Sequence, residues 1–272
     1  MPVITLPDGA KKTYEGSVTP AQIAADIGPG LAKAALAARI DGEMIDLTLT
    51  LTEDANLSLV TVRDEDSLAL LRHDAAHVMA EAVLELYPET QVTIGPSIEN
   101  GFYYDFHRED AFSTDDLEAI ETRMHEIVDR NEAITREVWS RDEAVAFYKK
   151  NDEPFKVELV DAIPANETVT FYRQGDFIDL CRGPHMPSTG RLGHAFKVMK
   201  VAGAYWRGDS NRPMLQRIYG TAFHTEKELN AYLVMLEEAE KRDHRKLGRS
   251  LDFFHLQELS LIHISEPTRR AI

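Results

Sequence analysis

Leu70-Leu71-Arg72-His73-Asp74-Ala75-Ala76-His77-Val78-Met79-Ala80-Glu81-Ala82-Val83-Leu84 reads as the middle of one long helix, and the other segments are best understood around it. Leu71, Ala75, Val78, Ala82 and Leu86 recur at three- and four-residue steps, the period of a helical stripe. Leu70 and Leu84 fall on the other side, so the helix is expected to be buried on most faces. An acidic joint, Arg63-Asp64-Glu65-Asp66, precedes it and Pro88 closes it, which bounds it at about Ser67 to Leu86. His73 and His77 stand four residues apart on the side of Leu70 and Leu84. A buried imidazole needs hydrogen-bond partners. One such histidine reads as a satisfied core residue, whereas two at this spacing make a site an equal reading. Asp74, not glutamate, follows the first histidine, so this is not the zinc-protease helix.

Upstream, the first sixty residues read as a small α+β module. Val3 to Leu6 and Lys12 to Tyr14 flank the turn signal Pro7-Asp8-Gly9. Thr19-Pro20 opens a short helix that Gly28-Pro29-Gly30 is expected to stop. Ala35 to Ile40, Glu43 to Leu47 and Leu57 to Val62 are strand candidates. Downstream, capping boxes at Ser113/Asp116 and Ser140/Glu143 start two helices, and Thr225/Glu228 starts a last one. Val157 to Val160, Thr168 to Tyr172 and Ala195 to Val201 alternate like strands.

The chain has 272 residues, 43% apolar and 28% charged, enough for one large domain or two ordinary ones. With 15 Gly and 12 Pro it is neither collagen-like nor disordered in composition. One cysteine excludes an internal disulfide framework and fits a reducing compartment. No secretory signal and no apolar run of membrane length are visible, so a cytoplasmic location is expected. The net charge of −16 argues against coating nucleic acid with the whole surface. The charge is divided, however. Residues 105–143 hold thirteen acidic residues against five arginines, residues 182–217 hold seven cations against one aspartate, and residues 241–249 hold five against one. Either basic stretch is a local polyanion contact or ordinary solvated surface, and charge alone favours the latter.

Three further groups can carry chemistry. Asp179-Leu180-Cys181-Arg182-Gly183-Pro184-His185 puts the only cysteine four residues before a histidine in a turn. His73, His77, Cys181 and His185 form a four-ligand zinc set in type. The same groups can instead position a water, and Cys181 alone reads as a small buried hydrophobe. Gly95 to Phe106 places glycines beside an aromatic strand, either a pocket wall or plain core. Lys156, inside a strand-like stretch, reads as an edge-strand guard or a pocket residue.

Arg72 to His77, Gly95 to Asp105, Asp179 to His185, and Arg242-Asp243-His244-Arg245-Lys246-Leu247-Gly248 together resemble the N-terminal half of threonyl-tRNA synthetase, over about residues 1–258. The resemblance implies an α+β architecture. Residues 1–62 would be a TGS domain, a ubiquitin-like β-grasp module. Residues 63–224 would be an editing domain similar to that of alanyl-tRNA synthetases. Residues 225–241 would be a linker helix, and 242–258 the first edge of a class II catalytic domain. It implies a threonine–tRNA ligase gene whose ATP, Mg²⁺ and zinc sites lie beyond residue 258. This chain would keep only hydrolysis of mischarged seryl-tRNA(Thr), with tRNA(Thr) as partner.

By the same resemblance His73 and Lys156 would contact the terminal ribose and organise waters. Asp179 would hold the serine amine and hydroxyl. His77, Cys181 and His185 would shape the pocket and place the attacking water, with Gly95 and Tyr104 on its wall. Lys197, Lys200, Arg207, Arg212 and Arg217 would meet RNA phosphates. Editing sites of this family work without bound metal, so no cofactor is required, while the His/Cys set keeps zinc as an alternative. Family members are homodimers, and a monomer is expected for this chain. Two other readings stand beside this one: a non-catalytic TGS and tRNA-docking fragment, and a binding module stabilised by zinc. Residues 259–272, Leu259-Ser260-Leu261-Ile262-His263-Ile264 onward, resemble a translated sequencing adapter and are expected to be a tail foreign to the gene.

Overall fold

A computed structural model describes residues 1–250, 254–257 and 260–263. The chain begins with β1 (Val3–Thr5), β2 (Lys11–Thr13), α1 (Pro20–Ile27), α2 (Pro29–Ala34), β3 (Ala37–Ile40), β4 (Glu43–Ile45) and β5 (Ala55–Val60). These strands form one sheet in the order β2-β1-β5-β3-β4, with β1 and β5 parallel and the other pairs antiparallel. This is the β-grasp arrangement. Ile4, Ile23, Ala24 and Leu57 meet between sheet and helix. Thr19 caps α1 with a full capping box and Pro20 sits at its first position, as the sequence requires. Gly28 ends α1, as expected. Pro29 restarts a second helix at once, because proline suits a first helical turn as well as it ends a preceding one.

The second part follows with α3 (Ser67–Leu86), β6 (Gln91–Val92), β7 (Ser97–Ile98), β8 (Gly101–His107), α4 (Thr114–Arg130), β9 (Ile134–Trp139), α5 (Arg141–Lys150), α6 (Pro154–Ala162), β10 (Val169–Gln174), β11 (Phe177–Leu180), β12 (Phe196–Tyr205) and β13 (Met214–Ala222). One sheet runs β12-β13-β8-β6 with β7 also on β8, and a smaller one runs β11-β10-β9. The helix expected at Ser67 to Leu86 has those bounds, and fourteen of its twenty residues are buried. Its Ala75, Ala76, Ala80 and Ala82 leave room for neighbours on several sides, with Met79, Phe102, Tyr104 and Ile120 filling the same core. Of the three downstream capping boxes, those at Ser113 and Ser140 form.

Val157 to Val160 is not a strand: it lies inside α6, with Pro154 in the first helical turn. Val157 and Leu159 alternate about Glu158 as on a strand face, but Val157 and Val160, three residues apart, pack in one cluster as only a helix allows, and the preceding proline starts that helix. Lys156 is therefore not an edge-strand guard. Residues 1–226 form one unit, so the β-grasp sheet and the second part pack together, and residues 227–272 form another. The second unit holds most of α7 (Glu226–Lys241), α8 (His244–Ser250) and a hairpin of β14 (Phe254–Gln257) with β15 (Ser260–His263). Most of the stretch expected to be a foreign tail, residue 259 and residues 264–272, lies outside the described residues.

Gly101 shows how tightly the main sheet is closed. A Cβ there would lie 2.1 Å from the Gly220 carbonyl oxygen of the neighbouring strand. A backbone atom cannot swing aside, so Gly101→Ala is expected to destabilise the chain by about 3 kcal/mol. Thermal unfolding checks it, and an unchanged midpoint would show that β8 and β13 can separate without cost.

Candidate functional site

α3, α6 and β11 converge on one pocket of about 520 Å³, lined among others by His73, His77, Gly95, Lys156, Leu159, Ile163, Asp179 and Cys181. α3 presents His73 and His77 one turn apart, with rings 4.9 Å from each other. The end of β11 presents Asp179, and the turn after it presents Cys181 and His185. His73 Nε2 lies 3.1 Å and His185 Nε2 3.3 Å from Cys181 Sγ, and the Gly183 N–H donates to the same sulfur at 3.3 Å. Ligand atoms of His73, His77, Cys181 and His185 all fall within 4.8 Å of one another, so the cluster is capable of holding a metal ion. The four residues that the sequence suggested as one set are thus brought together.

Asp74 holds this cluster from behind. Its Oδ1 is 2.7 Å from His185 Nδ1, and its Oδ2 accepts from the Met186 N–H at 2.9 Å. Burial works against a charge on His185, but the Asp74 carboxylate and Cys181 outweigh it and raise its pKa. Burial and the neighbouring His185 together lower that of His77. Burial pushes the Cys181 thiol up, and hydrogen bonds from His185, His73 and His77 more than reverse this, leaving it well below the ordinary thiol range.

On the opposite wall a buried cation meets a buried anion. Lys156 is 1% exposed and Asp179 2%, and the ammonium pairs with Asp179 Oδ1. The Tyr104 hydroxyl donates to Asp179 Oδ2 at 2.6 Å and accepts from Lys156 Nζ at 3.1 Å. Such a pair keeps its charges only because each is bonded by the other and by a third group. Tyr104 is fully buried and lies behind this pair. Its ring explains Gly95, where a Cβ would come within 2.1 Å of the Tyr104 ring. Gly95 therefore lines the pocket and makes room for Tyr104 at once. Sequence reasoning missed Glu153, which accepts from the Val92 N–H at 3.2 Å and whose carboxyl burial raises to about 8 although Lys156 opposes it. It also missed Asp46 and Tyr172, bonded to each other at 2.7 Å, and gave Asp74 no role. Only Asp74 had a signal, as the polar residue between two histidines of a buried helix.

The five cations proposed for RNA phosphates are not gathered at this pocket. Lys197 pairs with Glu121, Arg207 and Arg212 with Glu158, and Arg217 with Asp105 through two bonds of 2.7 and 2.8 Å. Lys200 lies over the Tyr219 ring at 5.1 Å. Asp105, Glu121 and Asp129 come from the acidic stretch and meet Arg217, Lys197 and His194 from the basic one. Folding thus brings part of the acidic stretch against part of the basic one. A phosphate at four of the five would have to displace a carboxylate.

Residues 2–61 match the TGS domain family. Residues 169–219 match the family described as the threonyl and alanyl tRNA synthetase second additional domain. Among curated proteins, the threonine–tRNA ligase of Rhodospirillum rubrum is 66% identical over 258 residues, covering 95% of this chain and 40% of that protein. Those of Acidiphilium cryptum and Paramagnetospirillum magneticum are 64% and 65% identical, with 95% of this chain and 40% and 41% of theirs covered. The chain spans about two fifths of the length of the curated relatives it matches.

One turn beyond His77, Glu81 is buried and accepts from Gln174 Nε2 at 2.6 Å. Burial raises its carboxyl from 4.5 to about 7. The folded chain then holds a proton that the unfolded chain has released, so this contribution to stability is complete below pH 4.5 and is lost as pH rises through about 7. Glu81→Gln, which keeps the acceptor, is expected to flatten the fall in thermal midpoint between pH 5 and 8. An undiminished slope in the variant would show that Glu81 is ionised in the fold.

Proposed function

We propose, from the premise that this chain is a homologue of the threonine–tRNA ligases, that residues 63–224 hydrolyse the ester of mischarged seryl-tRNA(Thr). The observation that carries this reading is the pocket itself. It joins a buried Lys156–Asp179 pair to the His73/His77/Cys181/His185 cluster across a space of small-ligand size. The need for such a site is physical. Serine lacks one methyl group of threonine and keeps the hydroxyl, and a missing methyl costs a synthetic site only about 1–3 kcal/mol of discrimination. A second site that admits the smaller ester restores accuracy.

The groups suit an ester hydrolysis. Asp179 takes the ammonium and hydroxyl of the seryl group, and Lys156 with His73 takes the terminal ribose. His73, His77 and Cys181 line the space where a water is held against the ester carbonyl. Attack gives a tetrahedral carbon; its collapse breaks the bond to the ribose oxygen, which takes up a proton, and releases serine. Threonine is excluded by its extra methyl beside Asp179. The rest of a threonine–tRNA ligase, with ATP, Mg²⁺ and zinc in aminoacylation, belongs to the longer relatives, and tRNA(Thr) is the partner this reading requires.

A metal reading is favoured by one observation: three imidazoles and a thiol lie within 4.8 Å, with Asp74 orienting His185 as carboxylates orient metal-bound histidines. Residues and spacing fit zinc, which would polarise a bound water; His73, His77, Cys181 and His185 would hold it. Cys181 Sγ is already bonded by His73, His185 and the Gly183 N–H. The cluster is therefore complete as a hydrogen-bond network, and hydrolysis is expected to persist after chelation. Activity lost with zinc while the fold is kept would make the metal catalytic, and unfolding on zinc loss would make it structural.

The main test is deacylation of seryl-tRNA(Thr), with threonyl-tRNA(Thr) as control. Only the seryl ester should be hydrolysed. His73→Ala is expected to slow this about 10²-fold with tRNA binding retained. An unchanged rate in that variant would remove His73 from the chemistry, and hydrolysis of neither ester by the folded chain would favour the docking fragment.

A further inference from the structure

The turn that carries Cys181 and His185 is held from two directions, and one hold comes from the β-grasp module. Asp46, just after β4, is 8% exposed. Its Oδ1 accepts from the His185 backbone N–H at 2.8 Å, and its Oδ2 accepts from the Tyr172 hydroxyl at 2.7 Å. The Tyr172 ring lies 4.2 Å from the His185 imidazole, centroid to centroid. The same phenol occupies the space beside Gly183: a Cβ there would lie 2.0 Å from Tyr172 Oη, and Gly183 has φ +74°. Gly183 is thus glycine for two reasons, and both shape the turn against Tyr172. Burial, reinforced by Asp46, raises the Tyr172 hydroxyl far above its ordinary range, so it remains a donor.

Asp46 makes no ion pair among the described residues, so its buried carboxylate is compensated by these two hydrogen bonds. The module that carries it is docked as well: Leu36, Ala37 and Val60 share a core with Leu70 and Leu71 of α3, and Arg191 donates to the Lys33 carbonyl. The geometry points to Asp46 as a positioning residue for the hydrolytic site. The N-terminal module supplies the carboxylate that sets His185, and through it Cys181 Sγ, against His73. Asp46 touches no substrate. It acts through His185, and the β-grasp module is part of the deacylase rather than an appendage. This inference rests on the hydrolytic reading above.

The 272-residue chain is the system for the test. Asp46→Ala should lower kcat for seryl-tRNA deacylation about tenfold or more with KM within about twofold, since small displacements of reacting groups carry large rate costs. It should also shift the ¹⁵N imidazole resonances of His185. Asp46→Asn, which can still accept from the His185 N–H, should recover most of the rate. Asp54→Ala removes a hydrogen bond to Val3 elsewhere in the module and should change neither readout. A folded Asp46→Ala chain with wild-type kcat and unshifted resonances overturns the inference, as does an equal loss in Asp54→Ala. If Asp46→Ala fails to fold, Tyr172→Phe removes only the hydroxyl and carries the same expectations. Should the unmodified chain hydrolyse no seryl ester, the functional reading fails by itself. Positioning is then judged on the His185 resonances: a shift in Asp46→Ala alone upholds it, and no shift overturns it.

Discussion

Asp74 is a carboxylate buried inside the most buried helix among the described residues, and its two oxygens are satisfied by the imidazole of His185 and the backbone of Met186, more than a hundred residues away. An anion in such surroundings is tolerable only when each oxygen has a donor. That requirement ties α3 to the turn after β11. Once the tie is made, His73 and His77, one residue before and three after Asp74, face the sulfur of Cys181. The pocket is a consequence of satisfying that charge as much as of apolar packing.

The opposite wall follows the same rule. Lys156 and Asp179 are both buried, and neither would persist there without the other and the Tyr104 hydroxyl. Tyr104 in turn needs the space that Gly95 leaves. Polar groups in this site are therefore set by a chain of obligations, each short-ranged and each strengthened by the low polarity around it. An arrangement of this kind presents groups in place before a substrate arrives, which is where electrostatic catalysis gains most.

The surface obeys a different balance. Cations that look like a nucleic-acid patch along the sequence are mostly spent on carboxylates from the acidic stretch or from α6. Exposed pairs of this sort are weak, so they can yield to phosphate, but at the cost of a carboxylate released to solvent. Lys200, stacked on Tyr219, has no such competitor among the contacts described.

Elements held by local chemistry were legible in the sequence. α1 begins at Thr19-Pro20, α4 and α5 begin at their capping boxes, the first hairpin turns at Pro7-Asp8-Gly9, and α3 runs from Ser67 to Leu86, because caps, turns and a three-to-four residue period act within a few residues. The site was legible as residue types: His73, His77, Cys181, His185, Lys156 and Asp179 do meet around one cluster and its facing wall. Short apolar alternation was ambiguous, so the segment from Pro154 turned out a helix rather than a strand. Which carboxylate holds His185, why Gly95 and Gly183 have no side chain, and which carboxylates take up the basic stretch were decided by tertiary structure alone. Those are contacts between residues some ten to more than a hundred positions apart, and a buried charge chooses its partner by distance in space, which no local pattern records.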